Sequence, residues 1–187
     1  MQKSYLVIDF EFTQYNKPVG RPRGFFPEII EVGALKLHPQ TFETTGTIED
    51  FVKPHFYPKQ AKESMDFCSI TEADMKTAIT FAQMMDKINA LYTPGGTYFV
   101  AWGDEDYNVI ETGCQRHNIP NPILKADYLD LAEAYRNLHN DEYTTGLQKA
   151  AEELAIEHDG HNHAAFDDAA KTAKVLVKLL EDGYIPT

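Results

Sequence analysis

Tyr5-Leu6-Val7-Ile8-Asp9-Phe10-Glu11-Phe12 is apolar at every position except its two acids. A strand with one face in water alternates apolar and polar residues, so a run that is apolar on both alternating faces predicts a central strand buried between two layers. Working outward, Pro18, Gly20, Pro22 and Gly24 mark a loop. Residues 29–37 (IIEVGALKL) begin as a continuous apolar run and end alternating, and residues 46–52 give a third strand before Pro54. Three consecutive strands predict an antiparallel meander. Thr71 with Glu72 and Asp74 is a helix-start signal, and Phe81, Met84, Met85, Ile88 and Leu91 recur at helical spacing until Pro94-Gly95-Gly96. Residues 97–102 form a fourth strand leading through Gly103 into a helix over 105–117. A short fifth strand over 126–129 follows Pro120 and Pro122, and further helices cover 131–138, 146–156 and 163–180. The expected class is α/β, a mixed five-stranded sheet flanked by helices.

The 187 residues suffice for one α/β domain with a sizeable core and are too few for two ordinary ones, so 1–187 is expected to be a single domain. No run of about 18 apolar residues occurs, and the N-terminus passes straight into an apolar strand without the regions of a signal peptide. A soluble, cytoplasmic protein with no membrane partner is expected. Cys68 and Cys114 have neither metal-ligand nor disulfide-framework spacing and read as reduced small residues. The formal net charge of −12 disfavours a protein that coats nucleic acid. Contact with a polyanion would have to be local. Lys17, Arg21 and Arg23 lie in a stretch without acids, and Lys53, His55, Lys59 and Lys62 crowd a second stretch with Phe56 and Tyr57; either also reads as a solvated loop.

Asp9 and Glu11 project from the same face of the first strand, roughly 6–7 Å apart at Cα, within reach of one cation. Solvation at a strand end or pairing with basic residues is the alternative, but carboxylates left unpaired among Leu6, Val7, Ile8, Phe10 and Phe12 would be driven to neutralise. At a helix start, Asp104-Glu105-Asp106 offers three acids that also suit the helix dipole. On the helical wheel Asp106 lies about 40° from Ile110, over the stripe that should face the sheet, whereas Glu105 falls on the polar side and Asp104 suits the cap. In the last helix Asp167 aligns with Lys171, Lys174 and Lys178, a solvated face. Asp168 aligns with Ala165, Thr172, Val175 and Leu179 and is the ligand candidate. A second stripe, Phe166, Ala170, Ala173, Val177 and Leu180, is expected to be core. By spacing alone His163 reads as a capping or solvent-facing residue, and His161 competes with it.

Two carboxylates 4 Å apart repel by about 4 kcal/mol at an effective dielectric near 20, so Asp9, Glu11, Asp106 and Asp168 converging on one cleft would need cations or raised pKa values. Oxygen-only ligands suit Mg²⁺ or Mn²⁺, and two such ions suit in-line phosphoryl displacement.

Residues 7–13 (VIDFEFT), 102–110 and 163–168 resemble the three exonuclease motifs of the DnaQ-like, RNase H-like superfamily, in its DEDDh branch. The likeness runs through residues 25–33 (FFPEIIEVG) and 145–147 and is strongest to the subgroup of KapD-like sporulation inhibitors and enhanced-RNAi exonucleases. It implies strand order 3-2-1-4-5 with strand 2 antiparallel, and 3′→5′ exonuclease activity on single-stranded RNA or DNA. It also implies that Asp9, Glu11, Asp106 and Asp168 hold two divalent cations, Mg²⁺ or Mn²⁺, and that His163, four residues intervening before Asp168, is the general base. Phe12 and Thr13 would contact the terminal nucleotide, while Lys17, Arg21 and Arg23 would grip upstream phosphates. No appended nucleic-acid-binding domain of the kind some relatives carry is expected, which leaves room for a partner protein that supplies substrate.

Two other readings use the same fold. One is a degenerate nuclease serving as an interaction module, against which stand five catalytic positions all filled with the required residue types. The other is a proofreading-type enzyme acting on DNA, which no motif here separates from an RNA enzyme because the discriminating contact is to the 2′-OH.

Overall fold

The alternation along β1 (Ser4–Phe12) organises two cores, one on each side of the sheet. Leu6, Ile8 and Phe10 face one side with Phe99, and pack on α3 (Phe81–Leu91) and α4 (Glu105–His117) through Met84, Met85, Ile88 and Ile110. Tyr5 and Val7 face the other with Val100, and pack on α5 (Leu131–His139) and α7 (Ala165–Glu181) through Leu131, Tyr135, Leu176 and Leu179. Burying each such side chain stabilises the fold by roughly 1.5–3 kcal/mol before conformational entropy is counted. Asp9 and Glu11 continue the Tyr5–Val7 register, so both acids emerge on the α7 side.

The computed structural model describes residues 2–17, 19–157 and 164–186. Besides the elements named, it contains β2 (Ile29–Leu37), β3 (Thr44–Phe51), α1 (Ala61–Phe67), α2 (Glu72–Thr77), β4 (Thr97–Ala101), β5 (Tyr128–Asp130) and α6 (Leu147–Glu153). The sheet order is β3-β2-β1-β4-β5, with β2 antiparallel to β1 and β3, and β4 parallel to β1 and β5. This is the expected mixed α/β sheet of the RNase H-like fold. Among the described residues no helix is long and apolar enough to cross a membrane.

Four local expectations are corrected. The fifth strand begins later than residue 126, because Asp127, 1% exposed, is drawn inward by Lys3 Nζ at 2.6 Å, the Tyr92 hydroxyl at 2.5 Å and Gly95 N at 2.7 Å. Residues 125–127 form a 3₁₀ turn instead. The basic stretch after Lys53 contains a helix, α1, that carried no side-chain cap to announce it. On α7 the deep stripe is Ala165, Ala169, Thr172, Leu176 and Leu179, the side that holds Asp168; of the second stripe Ala173 is buried as expected, while Phe166, Ala170, Val177 and Leu180 are only partly covered. Lys171 is not on the solvated face. It is 2% exposed and pairs with Asp168, not Asp167, because its long side chain reaches back one turn under cover.

Candidate active site

The β1–β4 ladder runs from Ser4↔Thr97 to Val7↔Val100 and goes no further. Beyond it the β1 edge is open, and the Phe10 N–H that a longer β4 would have engaged donates to Asp106 Oδ1 at 2.9 Å. Asp106, 6% exposed, is thereby fixed in the first turn of α4 against β1. Glu105 is exposed, as the helical wheel predicts. Asp104 occupies the N-cap position but makes no side-chain cap bond, because its backbone is already helical at φ −98°, ψ −7°, and does not aim the carboxylate at the free N–H groups.

From the other side α7 brings Asp168 in. Asp9, Glu11 and Asp168 each offer an oxygen, all within 4.8 Å of one another. Asp106 stands beside this trio rather than within it, with one oxygen occupied by Phe10. All four acids line one open cleft of about 460 Å³, together with Phe12, Trp102 and the 144–146 segment. The Trp102 indole N–H donates to Thr145 O at 3.0 Å, which ties that segment to the end of β4. Lys171 Nζ reaches Asp168 Oδ1 at 2.9 Å, and the Cys68 thiol donates to Glu11 Oε2 at 3.2 Å.

Burial raises the Asp9 carboxyl well above the usual range, and Asp106, Glu11, Asp168 and Glu31 push it further. Burial also raises Asp106, against the Phe10 N–H that favours its charged form; Glu105 and Glu11 add to the rise. Glu31, across the ladder from Glu11, is pushed up to about 7, chiefly by burial, with the Ala165 N–H opposing. Three converging oxygens among acids that repel one another form a donor set suited to hard divalent cations, whose charge would reverse each of these shifts.

A raised folded-state pKa means that a proton must leave before a cation binds, and that the folded chain holds more protons than the unfolded one from the ordinary carboxylate range up to about 7. The metal-free site therefore costs stability as pH rises through that window. The gain in Tm on adding saturating Mn²⁺, relative to chelator, should accordingly be larger at about pH 7.5 than at about pH 5.5 by scanning fluorimetry. His117, held low by burial, loses stability in the opposite direction but does so with or without metal, so it cancels in the difference. A gain that shrinks as pH rises would contradict the assignment of a cation to these acids.

The remaining sequence-predicted residues fare unequally. Phe12 lines both the cleft and an adjoining hollow of about 360 Å³ that also takes in Gln14, Ser64, Phe67 and Cys68. Thr13 does not face it: the side chain is fully buried, and its hydroxyl accepts the Glu28 N–H at 2.9 Å, locking the end of β1 to the segment before β2. Lys17, Arg21 and Arg23 are exposed and are not among the residues lining the acidic cleft; Lys17 lies 3.3 Å from Glu63, and Arg21 lies over the Phe25 ring. His163 and His161 lie outside the described residues. Cys68, Lys171 and Glu31 touch the site without having been singled out, since a lone thiol, a lysine on a lysine-rich helix and an acid in a strand carry no local signal of a partner.

The exonuclease (RNase_T) family model matches residues 6–176. The chain is 38% identical over 180 residues to the probable 3′-5′ exonuclease KapD of Bacillus subtilis (strain 168), across 95% of this chain and 84% of that protein. It is 26% identical over 185 residues to 3′-5′ exoribonuclease 1 of Homo sapiens, across 95% of this chain and 52% of that protein, about half its length. The fold is that of the nuclease domain of 3′hExo, a DEDDh family member bound to rAMP, with a TM-score of 0.84 and 24% identity over 97% of this chain and 94% of that one. With the sheet order, the acidic cleft and these likenesses in agreement, the chain belongs to the exonuclease family, as a 3′→5′ exonuclease with the RNase H-like fold.

Proposed function

We propose that the chain releases nucleoside 5′-monophosphates one at a time from the 3′ end of single-stranded RNA or DNA, with Asp9, Glu11, Asp106 and Asp168 holding two divalent cations, Mg²⁺ or Mn²⁺, and His163 as general base. The observation that carries this reading is the approach of Asp9, Glu11 and Asp168 to within 4.8 Å in a cleft that Asp106 also lines. Bound there, the cations would supply Lewis acidity and charge neutralisation at the phosphate. The chain's own groups do the rest. Asp168 and Asp106, on helices that approach from opposite sides of β1, fix the cleft's width. Phe12 and the 66%-exposed Phe67 offer aromatic faces beside it for a terminal base, where stacking is worth about 1–3 kcal/mol per base and is tolerant of sequence. A histidine titrates near neutrality and takes the proton of the attacking water.

RNA is favoured over DNA because the relatives named above include an exoribonuclease and a nuclease domain bound to rAMP. With a charge of −12, contacts to upstream phosphates from Lys17, Arg21 and Arg23 would be few, so short distributive steps are expected. A circular single-stranded RNA and its linear counterpart test the polarity. The linear form should be shortened from its 3′ end to nucleoside 5′-monophosphates and the circle should persist; cleavage of both at similar rates would show an endonuclease. Mn²⁺ calorimetry separates this reading from a degenerate interaction module, which need bind no cation.

A further inference from the structure

Asp168 reaches the cleft only if α7 starts in the right place, and the helix does not fix its own start: the N-cap, Ala164, makes no side-chain cap bond. The fixing contacts come from β2. Glu31 and Gly33 are the register partners of Glu11 and Asp9, so they stand on the same face, directly beside the two β1 acids. A Cβ at Gly33 would lie 2.1 Å from Phe166 N and 2.2 Å from Ala165 C, so the first turn of α7 rests backbone to backbone on the strand at the one residue that permits it. Glu31, buried two residues along the same strand face, has its charged form favoured by the Ala165 N–H, one of the donors that the first turn of a helix leaves without an intrahelical partner. Nothing about β2 itself calls for this acid. A carboxylate directly across a ladder from another is destabilising, and burial adds to the cost.

We propose that Glu31 and Gly33 form a seat that sets the height and rotation of α7, so that Asp168 meets Asp9 and Glu11. Glu31 is a positioning residue, acting through the acceptor it presents to Ala165 rather than through its charge. The proposal rests on the cleft being a cation site.

Two conservative variants of the full chain separate acceptor from charge. Glu31→Gln keeps an oxygen at the same reach and discards the charge. Glu31→Asp keeps the charge and withdraws the oxygen by one methylene. Mn²⁺ affinity by calorimetry, kcat and KM on a 3′-labelled RNA, and hydrogen exchange at the Ala165 amide are read for both. Glu31→Gln should stay within about threefold of wild type in every reading. Glu31→Asp should bind Mn²⁺ more weakly, expose the Ala165 amide to faster exchange, and lose kcat by roughly 10–100-fold with KM little changed, the scale expected for a misplacement approaching 1 Å. The reverse order would make Glu31 a charge-bearing ligand and overturn the seat, as would wild-type behaviour in both variants. A wild-type chain that binds no Mn²⁺ would sink the cation reading itself, and the seat with it.

Discussion

Asp9→Asn should abolish nearly all turnover while making the metal-free protein more stable. Asp9 belongs to the three-acid group whose oxygens converge, and its carboxyl is raised by burial and by Asp106, Glu11, Asp168 and Glu31. An amide of the same shape removes that repulsion, so Tm in chelator should rise. The same change withdraws a charged oxygen from the cation set, and lost stabilisation of several kcal/mol at the phosphate corresponds to roughly 10³-fold or more in rate. Excess chelator should bring wild-type activity down to a similar level, since the two treatments remove the same thing by different routes. Single-turnover decay of a 3′-labelled RNA, with fluorimetric melts in chelator, measures both halves. Wild-type rates in excess chelator, or an Asp9→Asn enzyme within tenfold of wild type, would sink the role given to these acids.

The parts of this site that were legible in the sequence share a cause. β1 was readable because it is buried on both faces, and Asp9 and Glu11 were conspicuous because a charge in such a strand has no ordinary reason to be there. Asp106 and Asp168 were separable from Glu105 and Asp167 because helical geometry assigns each neighbour a different direction. That same wheel misjudged Lys171: it reports an angle, not what lies above the angle, and a long side chain with its amine 2.9 Å from Asp168 is buried by contacts no local pattern encodes. Thr13 adjoins the Asp9–Glu11 pair in sequence yet spends its hydroxyl on the Glu28 N–H. Glu28 in turn holds the Lys53–Lys62 stretch in place, its buried carboxylate accepting the N–H groups of His55, Phe56 and Tyr57 at 2.6, 2.8 and 2.6 Å. A composition of lysines and aromatics reads as a solvated loop; the buried acid that shapes it lies about 27–29 residues earlier in the chain. Asp127 is the same case at greater range, moved off the expected strand by Lys3, 124 residues away.

His163→Ala should lower kcat by roughly 10²–10⁴, the usual size of a general-base contribution, with Mn²⁺ affinity and KM close to wild type. The separation of effects is what makes the test specific. The oxygens that converge in the cleft come from Asp9, Glu11 and Asp168, and all three remain in the variant, so a base that takes a proton and holds no cation can be removed without loosening the metal. The loss should also be pH-dependent. A histidine base must be neutral to work, so wild-type kcat should fall as pH drops through its pKa, and the variant should lack that limb. His161→Ala should be much milder, because only residue 163 stands at the spacing from Asp168 that the DEDDh pattern requires, with α7 beginning at Ala165 between them. Both variants belong on the same 3′-labelled RNA, with Mn²⁺ calorimetry alongside. If His161→Ala proves the more damaging, the base has been assigned to the wrong histidine. If His163→Ala loses Mn²⁺ as Asp9→Asn does, His163 serves the cation rather than the water, and the proton must be taken by some other group.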